Sequence, residues 1–377
     1  MKILVNTSTI VETGCTQVSV SFIEECKKYN NNEYFVLLST NVRKNLRLDE
    51  FPSNFKFHYV KKHPLYGIRA FAERKRLKKL EEKLSPDCVF SVFGPSWWTP
   101  KAPHLQGYAF PHYVNKESPV FVKMSYYQRF KILLMELVHK YYLKKNGDYF
   151  VCESSFISSR LSKCFNISQK NIYTVNNTAN AYFLNYKIEK KGKTQSEDIF
   201  SFYSLCSPKD HKNIQILNEV IPILLEMNLP KRIEFHVTFP QNRYDEMFSE
   251  KVKPYIINHG LLKVAECPAF VSQFDAMFLP TLLECFSASY PEAMLMGKPI
   301  LTSDLGFATS VCEDAALYFN PVDAKDIAKK MVELICNPDL YVDLQNKGFV
   351  RLGAFNKPEI RAKKYLEILQ EIATKNR

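Results

Sequence analysis

Residues 278–321 read FLPTLLECFSASYPEAMLMGKPILTSDLGFATSVCEDAALYFNP, and this stretch decides the fold. Its opening, MFLP at 277–280, reads as a buried strand that stops at Pro280, which has no N–H for a sheet ladder. Leu282–Ser287 follows as a loop holding Glu284. Ser287 or Ser289 can cap the next helix, Pro291 suits its first turn, and Glu292 falls where the helix dipole favours negative charge. Gly297 ends that helix, and KPILTSD at 298–304 is the next strand. One carboxylate therefore stands on a strand-end loop and a second stands one short element away. Ionised carboxylates accept hydrogen bonds from neighbouring hydroxyls, so the pair suits a hydroxyl-rich ligand. The same letters also fit a solvated Glu284 and a Glu292 that only complements the dipole.

Outward from this stretch, short β-rich runs alternate with helical patterns. The first half predicts strands at Lys2–Asn6, Tyr34–Ser39, Lys56–Val60, Cys88–Phe93, His104–Tyr108, Tyr149–Cys152 and Ile172–Val175. Helical patterns lie between them at Thr16–Tyr29, Tyr66–Leu84, Pro119–Lys145 and Ser154–Phe165. The polar run Asn185–Asp198 reads as a linker, after which the alternation restarts. Strands are expected at Ser201–Leu205, Ile233–Thr238, Ala276–Leu279, Pro299–Thr302 and Ala316–Phe319, with helices at Asn213–Met227, Asp245–Ile257, Tyr290–Met296 and Ala324–Ile335. Such alternation means mostly parallel sheets with helices on both faces. A chain of 377 residues is too long for one core, so two α/β domains are expected, 1–187 and 188–357, followed by a helix at Pro358–Ala373. Ligands of such folds bind beyond the carboxyl ends of the strands, and a cleft between the halves is the default site.

Three further segments carry chemistry. In SLCSPKDHKN, 204–213, Lys212 stands at a helix start, where the dipole disfavours a cation unless an anion is shared with it. In STIVETGCTQ, 8–17, Gly14 lies in a loop after the first strand, without the three glycines of a dinucleotide fingerprint. In KAPHLQGYAFPHYV, 101–114, His112 follows a strand.

Together these residues resemble the family 4 retaining glycosyltransferases (glycosyl transferases group 1), which have the GT-B fold of two Rossmann-like domains facing each other across a cleft. Glu284, Glu292-Ala293-Met294, Gly297, the strand PILTSD and Glu313-Asp314-Ala315-Ala316-Leu317 follow the family's order of features. The resemblance implies that Glu284 contacts the hydroxyls of the donor sugar, with Cys285, Phe286 and Ser287 around it, and that Glu292 holds the ribose. It gives Lys212 the donor diphosphate. The family's companion arginine falls near Cys206 and is absent, leaving Lys209 as the substitute. The Gly14 loop would lie over the donor phosphates or the acceptor, and His112, three residues beyond the family's histidine position at Ala109, would face the cleft. The closing helix, 358–377, would pack back on the N-terminal domain. The implied reaction moves a sugar from a nucleoside diphosphate sugar to a hydroxyl acceptor, a glycan or lipid-linked saccharide, with retention, in bacterial surface polysaccharide synthesis. Glu284, Lys212 and His112 are its expected catalytic residues. No metal and no other cofactor is expected, because the chain has no compact Asp-x-Asp cluster and cationic side chains can take the ion's place. A sugar-nucleotide-modifying enzyme on the same fold and a non-catalytic sugar-nucleotide or glycan-binding subunit are the alternatives.

The net charge of +12 calls for an anionic partner. Two stretches, 61–83 and 116–145, mix lysine and arginine with aromatic and aliphatic residues, which suits an anionic membrane surface and equally a core stripe with a solvated basic face. No recognition motif points to nucleic acid. Ten scattered cysteines without Cys-x-x-Cys or zinc spacing suit a reducing compartment. With no charged leader before the first strand and no run of some eighteen apolar residues, the expectation is a cytoplasmic protein, peripheral at the inner face of the cell membrane.

Overall fold

The computed structural model describes residues 1–65, 69–187 and 198–375. Most of the expected linker, residues 188–197, and the start of the expected helix Tyr66–Leu84 lie outside the described residues. The chain forms two compact units, one of residues 1–114, 125–177 and 356–377, the other of 115–124 and 178–355.

The first unit is built on seven parallel strands: β1 (Lys2–Asn6), β2 (Glu33–Leu38), β3 (Phe55–Tyr59), β4 (Cys88–Ser91), β5 (His104–Gly107), β6 (Tyr149–Cys152) and β7 (Ile172–Thr174), in the order β3-β2-β1-β4-β5-β6-β7. Runs such as ILV and YFVLL are apolar on both faces because helices cover both sides of a parallel sheet. The helices used below are α1 (Thr13–Cys26), α2 (Ala70–Leu84), α3 (Tyr126–Asn146) and α4 (Ser155–Phe165). Where one helix was expected over Pro119–Lys145, a one-turn helix, Val120–Lys123, is followed by α3. The break comes at Ser125, whose hydroxyl accepts from Gln128 N while its own N–H donates to the Gln128 side chain.

The second unit carries six parallel strands: β8 (Ile199–Ser204), β9 (Arg232–Val237), β10 (Ile256–Asn258), β11 (Ala276–Leu279), β12 (Ile300–Ser303) and β13 (Leu317–Phe319), in the order β10-β9-β8-β11-β12-β13. Its helices are α5 (Leu217–Leu225), α6 (Ser289–Leu295), α7 (Ala324–Cys336) and α8 (Pro338–Leu352). Two expectations are corrected here. The helix read over Asp245–Ile257 is a shorter one, Gln241–Met247, after which the chain turns into the edge strand β10. The helix read from Asn213 begins only at Leu217, because Asn213 adopts a left-handed φ of 58° between two short 3₁₀ turns.

The closing helix, α9 (Pro358–Lys375), belongs to the first unit. Its Tyr365 ring packs edge-on against Phe22 of α1 at 5.5 Å, and Ala362, Leu369 and Ile372 are buried in the same core as Ile3, Val36 and Phe90. Arg361 is buried there too, donating to Asn177 Oδ1 and, at 2.8 Å, to Ser21 Oγ.

Candidate functional site

In the second sheet the strand order reverses between β8 and β11, and loops leaving two such neighbouring strands diverge to leave a crevice at their carboxyl ends. Lys212 is carried by the loop after β8 and Glu284 by the loop after β11. The topology thus brings together two side chains 72 positions apart, and Lys212 Nζ forms an ion pair and hydrogen bond with Glu284 Oε1. Each side chain is only 13% exposed. Burial pulls the Lys212 ammonium down, but the charge of Glu284, with Cys206 and the hydrogen bond, leaves it above the ordinary lysine value.

The loops are also joined through their backbones. Leu282 N donates to His211 O at 2.7 Å, and Thr281 Oγ1 lies 3.2 Å from the same carbonyl and 3.1 Å from Glu284 Oε1. Residues 115–124, which the sequence assigned to the first domain, pack on the Glu284 loop within this unit. Ser118 Oγ donates to Leu282 O at 2.6 Å, Asn115 Nδ2 to Glu284 O at 3.2 Å, and Val120 is buried against Leu282 and Leu283. Lys123 Nζ donates to Asn213 Oδ1 at 2.7 Å, and Asn213 Nδ2 in turn to Pro321 O at 2.8 Å. The Lys212 loop is therefore fixed by a side chain rather than by a long helix. The amides of Lys212 and Asn213 are taken by the carbonyls of Lys209 and Asp210, which corrects the picture of an open helix amino end at this point.

Glu292 sits in the first turn of α6, as expected, and its Oε1 accepts the Asn180 N–H at 3.3 Å. Burial pushes its carboxyl up to about 8, the Asn180 amide pulling the other way. Neither serine caps α6. The residue before it is helical Ala288, Ser289 Oγ reaches Leu205 O at 3.5 Å, and Ser287 offers only its carbonyl, to Tyr290 N. Gly297 does end the helix, at φ 62°, where a Cβ would meet the Phe349 ring at 2.9 Å.

Of the other expected residues, Cys285 and Ser287 are buried beside Glu284, and Phe286 is partly buried with its ring edge-on to Phe355 at 6.2 Å. Lys209 is exposed at the start of the 3₁₀ turn holding Lys212. Cys206 lies close enough to Lys212 and Glu284 to feel both charges, and burial pushes its thiol up to about 12, so it is neutral. Gly14 and His112 belong to the first unit. Gly14 is exposed in the first turn of α1, where a Cβ would meet nothing within 4 Å, and His112 is half-buried in the short helix Pro111–Val114. Thr281, Asn115, Ser118, Lys123, Asn213 and Asn180 were not among the expected residues. The local pattern gives no sign of them, since their roles come from contacts far along the chain. Among the described residues no cluster of three His, Cys, Asp or Glu side chains is placed to hold a metal ion.

Two all-parallel Rossmann-like units in one chain, with a helix from the end of the chain packed on the first, define a protein of the GT-B class. Solved structures bear out the fold along the whole length. A glycosyltransferase from Rickettsia africae matches with a TM-score of 0.72 at 17% identity, covering 98% of both chains. HepE of Anabaena in complex with UDP-glucose matches at 0.71 and 12% identity, covering 98% of this chain and 100% of that one. WaaG, a glycosyltransferase involved in lipopolysaccharide biosynthesis, matches at 0.72 and 11% identity, covering 98% and 99%. No curated protein matches the chain by sequence. Residues 198–337, which hold Lys212, Glu284 and Glu292, match the family model described as glycosyl transferases group 1.

Proposed function

We propose that the protein is a retaining glycosyltransferase that moves a sugar from a nucleoside diphosphate sugar to a hydroxyl of a glycan or lipid-linked acceptor in bacterial surface polysaccharide synthesis. The observation that carries this reading is the buried Lys212–Glu284 pair at the switch point of a group 1 glycosyltransferase domain. A cation and a carboxylate in contact are suited to opposite ends of one ligand. The carboxylate accepts bonds from sugar hydroxyls, and the ammonium stabilises the charge that gathers on the diphosphate as the bond to the anomeric carbon breaks. Glu284 keeps Lys212 charged and aimed before the donor arrives. Glu292 holds the ribose, and Lys209 is the second cation for the phosphates. His112 is the third catalytic residue, and the Gly14 loop serves the donor phosphates or the acceptor. This reading assigns the leaving-group charge to lysines and calls for no metal ion.

Support for a nucleotide-sugar donor comes from HepE, whose structure holds UDP-glucose, and support for the pathway from WaaG and its part in lipopolysaccharide biosynthesis. A lipid-linked acceptor places the protein in the cytoplasm at the inner face of the membrane. A thermal-shift series over nucleoside diphosphate sugars tests the donor, since a ligand bound only to the folded state raises its melting temperature. One or a few donors are expected to stabilise the wild type and to lose that effect in Lys212→Ala. NMR of the product is expected to show the donor's anomeric configuration. Failure of every such donor to shift the transition overturns the proposal, and an inverted product overturns retention.

A further inference from the structure

Helix α3 turns a mainly polar side to the protein and leaves an apolar side exposed. Glu136, His139, Leu143 and Asn146 are its buried residues and mark the side turned to the protein. Tyr126, Phe130, Leu133, Leu134, Leu137 and Tyr141 are all exposed, Tyr126 by 89% and Leu137 by 59%. At 3.6 residues per turn these six fall within an arc of roughly 100°, opposite the buried side. Monomeric proteins rarely leave so continuous an apolar stripe in water.

The charges around the stripe are of one sign. Arg129 and Lys140 flank it on one side, Lys131 and Lys145 on the other, and Lys144 lies in line with it near the end of the helix, whereas the single acid of the helix, Glu136, is on the buried side. Lys145 Nζ donates to Tyr141 OH at 3.0 Å, so cation and ring share one patch. Helix α2 adds to it. Arg74 of α2 donates to Tyr142 OH at 3.2 Å, and one turn away Phe71 is 77% exposed, with Lys75 and Lys78 exposed beside it.

We infer that this face of α3, with Phe71 of α2, is a membrane-docking surface that lies in the plane of an anionic bilayer. It deepens the proposed function by naming the surface on which a lipid-linked acceptor is met. Apolar side chains enter the boundary between headgroups and acyl chains, tyrosines sit at headgroup level, and long cationic side chains reach out to lipid phosphates. The five cations make α3 a helix that lies on the membrane, and no described helix is long and apolar enough to cross one. A second copy of the same face is the poorer occupant, because it would set the two rows of cations against each other.

The test uses the full chain and sedimentation with extruded vesicles of phosphatidylcholine alone or mixed equally with phosphatidylglycerol. The wild type is expected to pellet with the mixed vesicles and to stay in solution with the neutral ones. Phe130→Ser/Leu134→Ser/Leu137→Ser is expected to weaken binding about tenfold or more, through lost apolar burial alone. Lys131→Glu/Lys144→Glu/Lys145→Glu is expected to lose the preference for anionic vesicles. All these side chains are exposed, and unchanged urea transitions confirm folded variants. A wild type that ignores anionic vesicles overturns the inference, as does equal binding by all three proteins. So does a solution dimer that the serine variant abolishes, which makes the stripe a contact between copies. None of these outcomes touches donor binding, which the thermal-shift series reads separately.

Discussion

Lys212 and Glu284 are each 13% exposed, so neither charge is hydrated enough to stand without the other. Removing one partner of a buried ion pair typically costs about 3–5 kcal/mol, whereas replacing both with neutral groups of similar size is close to neutral. Lys212→Met is therefore expected to lower urea stability by about 3 kcal/mol, and Lys212→Met/Glu284→Gln to recover most of it. Both are expected to lose roughly 10²–10³-fold in kcat/KM, the usual scale for one group stabilising transition-state charge. A double variant that regains activity along with stability would show that the pair serves the fold alone. Glu292 responds to pH in the opposite sense from an ordinary carboxylate. Its folded value of about 8 lies far above the unfolded one, so between the two the native state holds a proton that the unfolded chain has released. The stability this group contributes is complete below the unfolded value, near 4.5, and is lost as pH rises towards 8. Glu292→Gln cannot ionise. It is expected to melt close to the wild type at pH 5 and several degrees above it at pH 9. If its carboxylate holds the ribose, the wild-type donor KM falls as pH rises through that range and the variant's does not. The letters of 204–213 and 278–321 made Lys212, Glu284 and Glu292 legible from the sequence. The contact between the first two was not, since it depends on which strands are neighbours.

At the scale of elements, the position of Glu284 depends on a segment the sequence misplaced. Within it, residues 119–124 read as the start of one long basic helix, because the pattern of 119–145 is helical throughout. What breaks it is the Ser125–Gln128 capping box, a local signal present in the letters, and the break lets Ser118 and Val120 dock on Leu282 and Leu283. That docking joins residues 164 positions apart, which no local pattern reveals. Ser118→Ala removes the hydroxyl that donates to Leu282 O and leaves a buried carbonyl unpaired, at a cost of about 1–3 kcal/mol. The Glu284 loop then loosens, and the donor KM is expected to rise several-fold with a smaller change in kcat. An equal loss of stability with an unchanged KM would limit the segment to packing. Asn213 makes the companion case. Its left-handed φ suits asparagine, and its side chain links Lys123 to Pro321 O. Alanine keeps neither property, so Asn213→Ala is expected to destabilise more than Asn213→Gly, which keeps the backbone conformation; thermal unfolding of the two side by side gives the comparison.

At the scale of the whole molecule, the alternating pattern was enough to read two parallel sheets. It could not show that the last helix completes the first core, because an amphipathic helix says only that it has a partner. Helix α9 brings Ala362, Tyr365, Leu366, Leu369, Ile372 and Ala373 into the core beneath β1 and β4. Burying one large apolar side chain contributes about 1.5–3 kcal/mol. Tyr365, Leu366, Leu369 and Ile372 together thus approach the entire net stability of an ordinary domain, about 5–15 kcal/mol. Arg361 adds a specific tie to Asn177 and Ser21 from the same helix. A chain ending at Phe355 should therefore fail to hold its first unit together, although every strand of that unit is still present. The two tryptophans read this directly, since Trp97 and Trp98 both lie in the first unit and are 3% and 4% exposed. The shortened chain is expected to emit at the longer wavelength of hydrated indole in buffer without denaturant, where the full chain emits at the shorter wavelength of buried indole. Arg361→Ala should fall between them, native in buffer but shifted to lower urea in the same fluorescence signal, because it opens a cavity and removes the tie to Asn177 and Ser21 while leaving the apolar face of α9 in place. Native emission from the chain ending at Phe355 would mean that the seven-stranded sheet closes its core without α9, and the role assigned here to that helix would be lost.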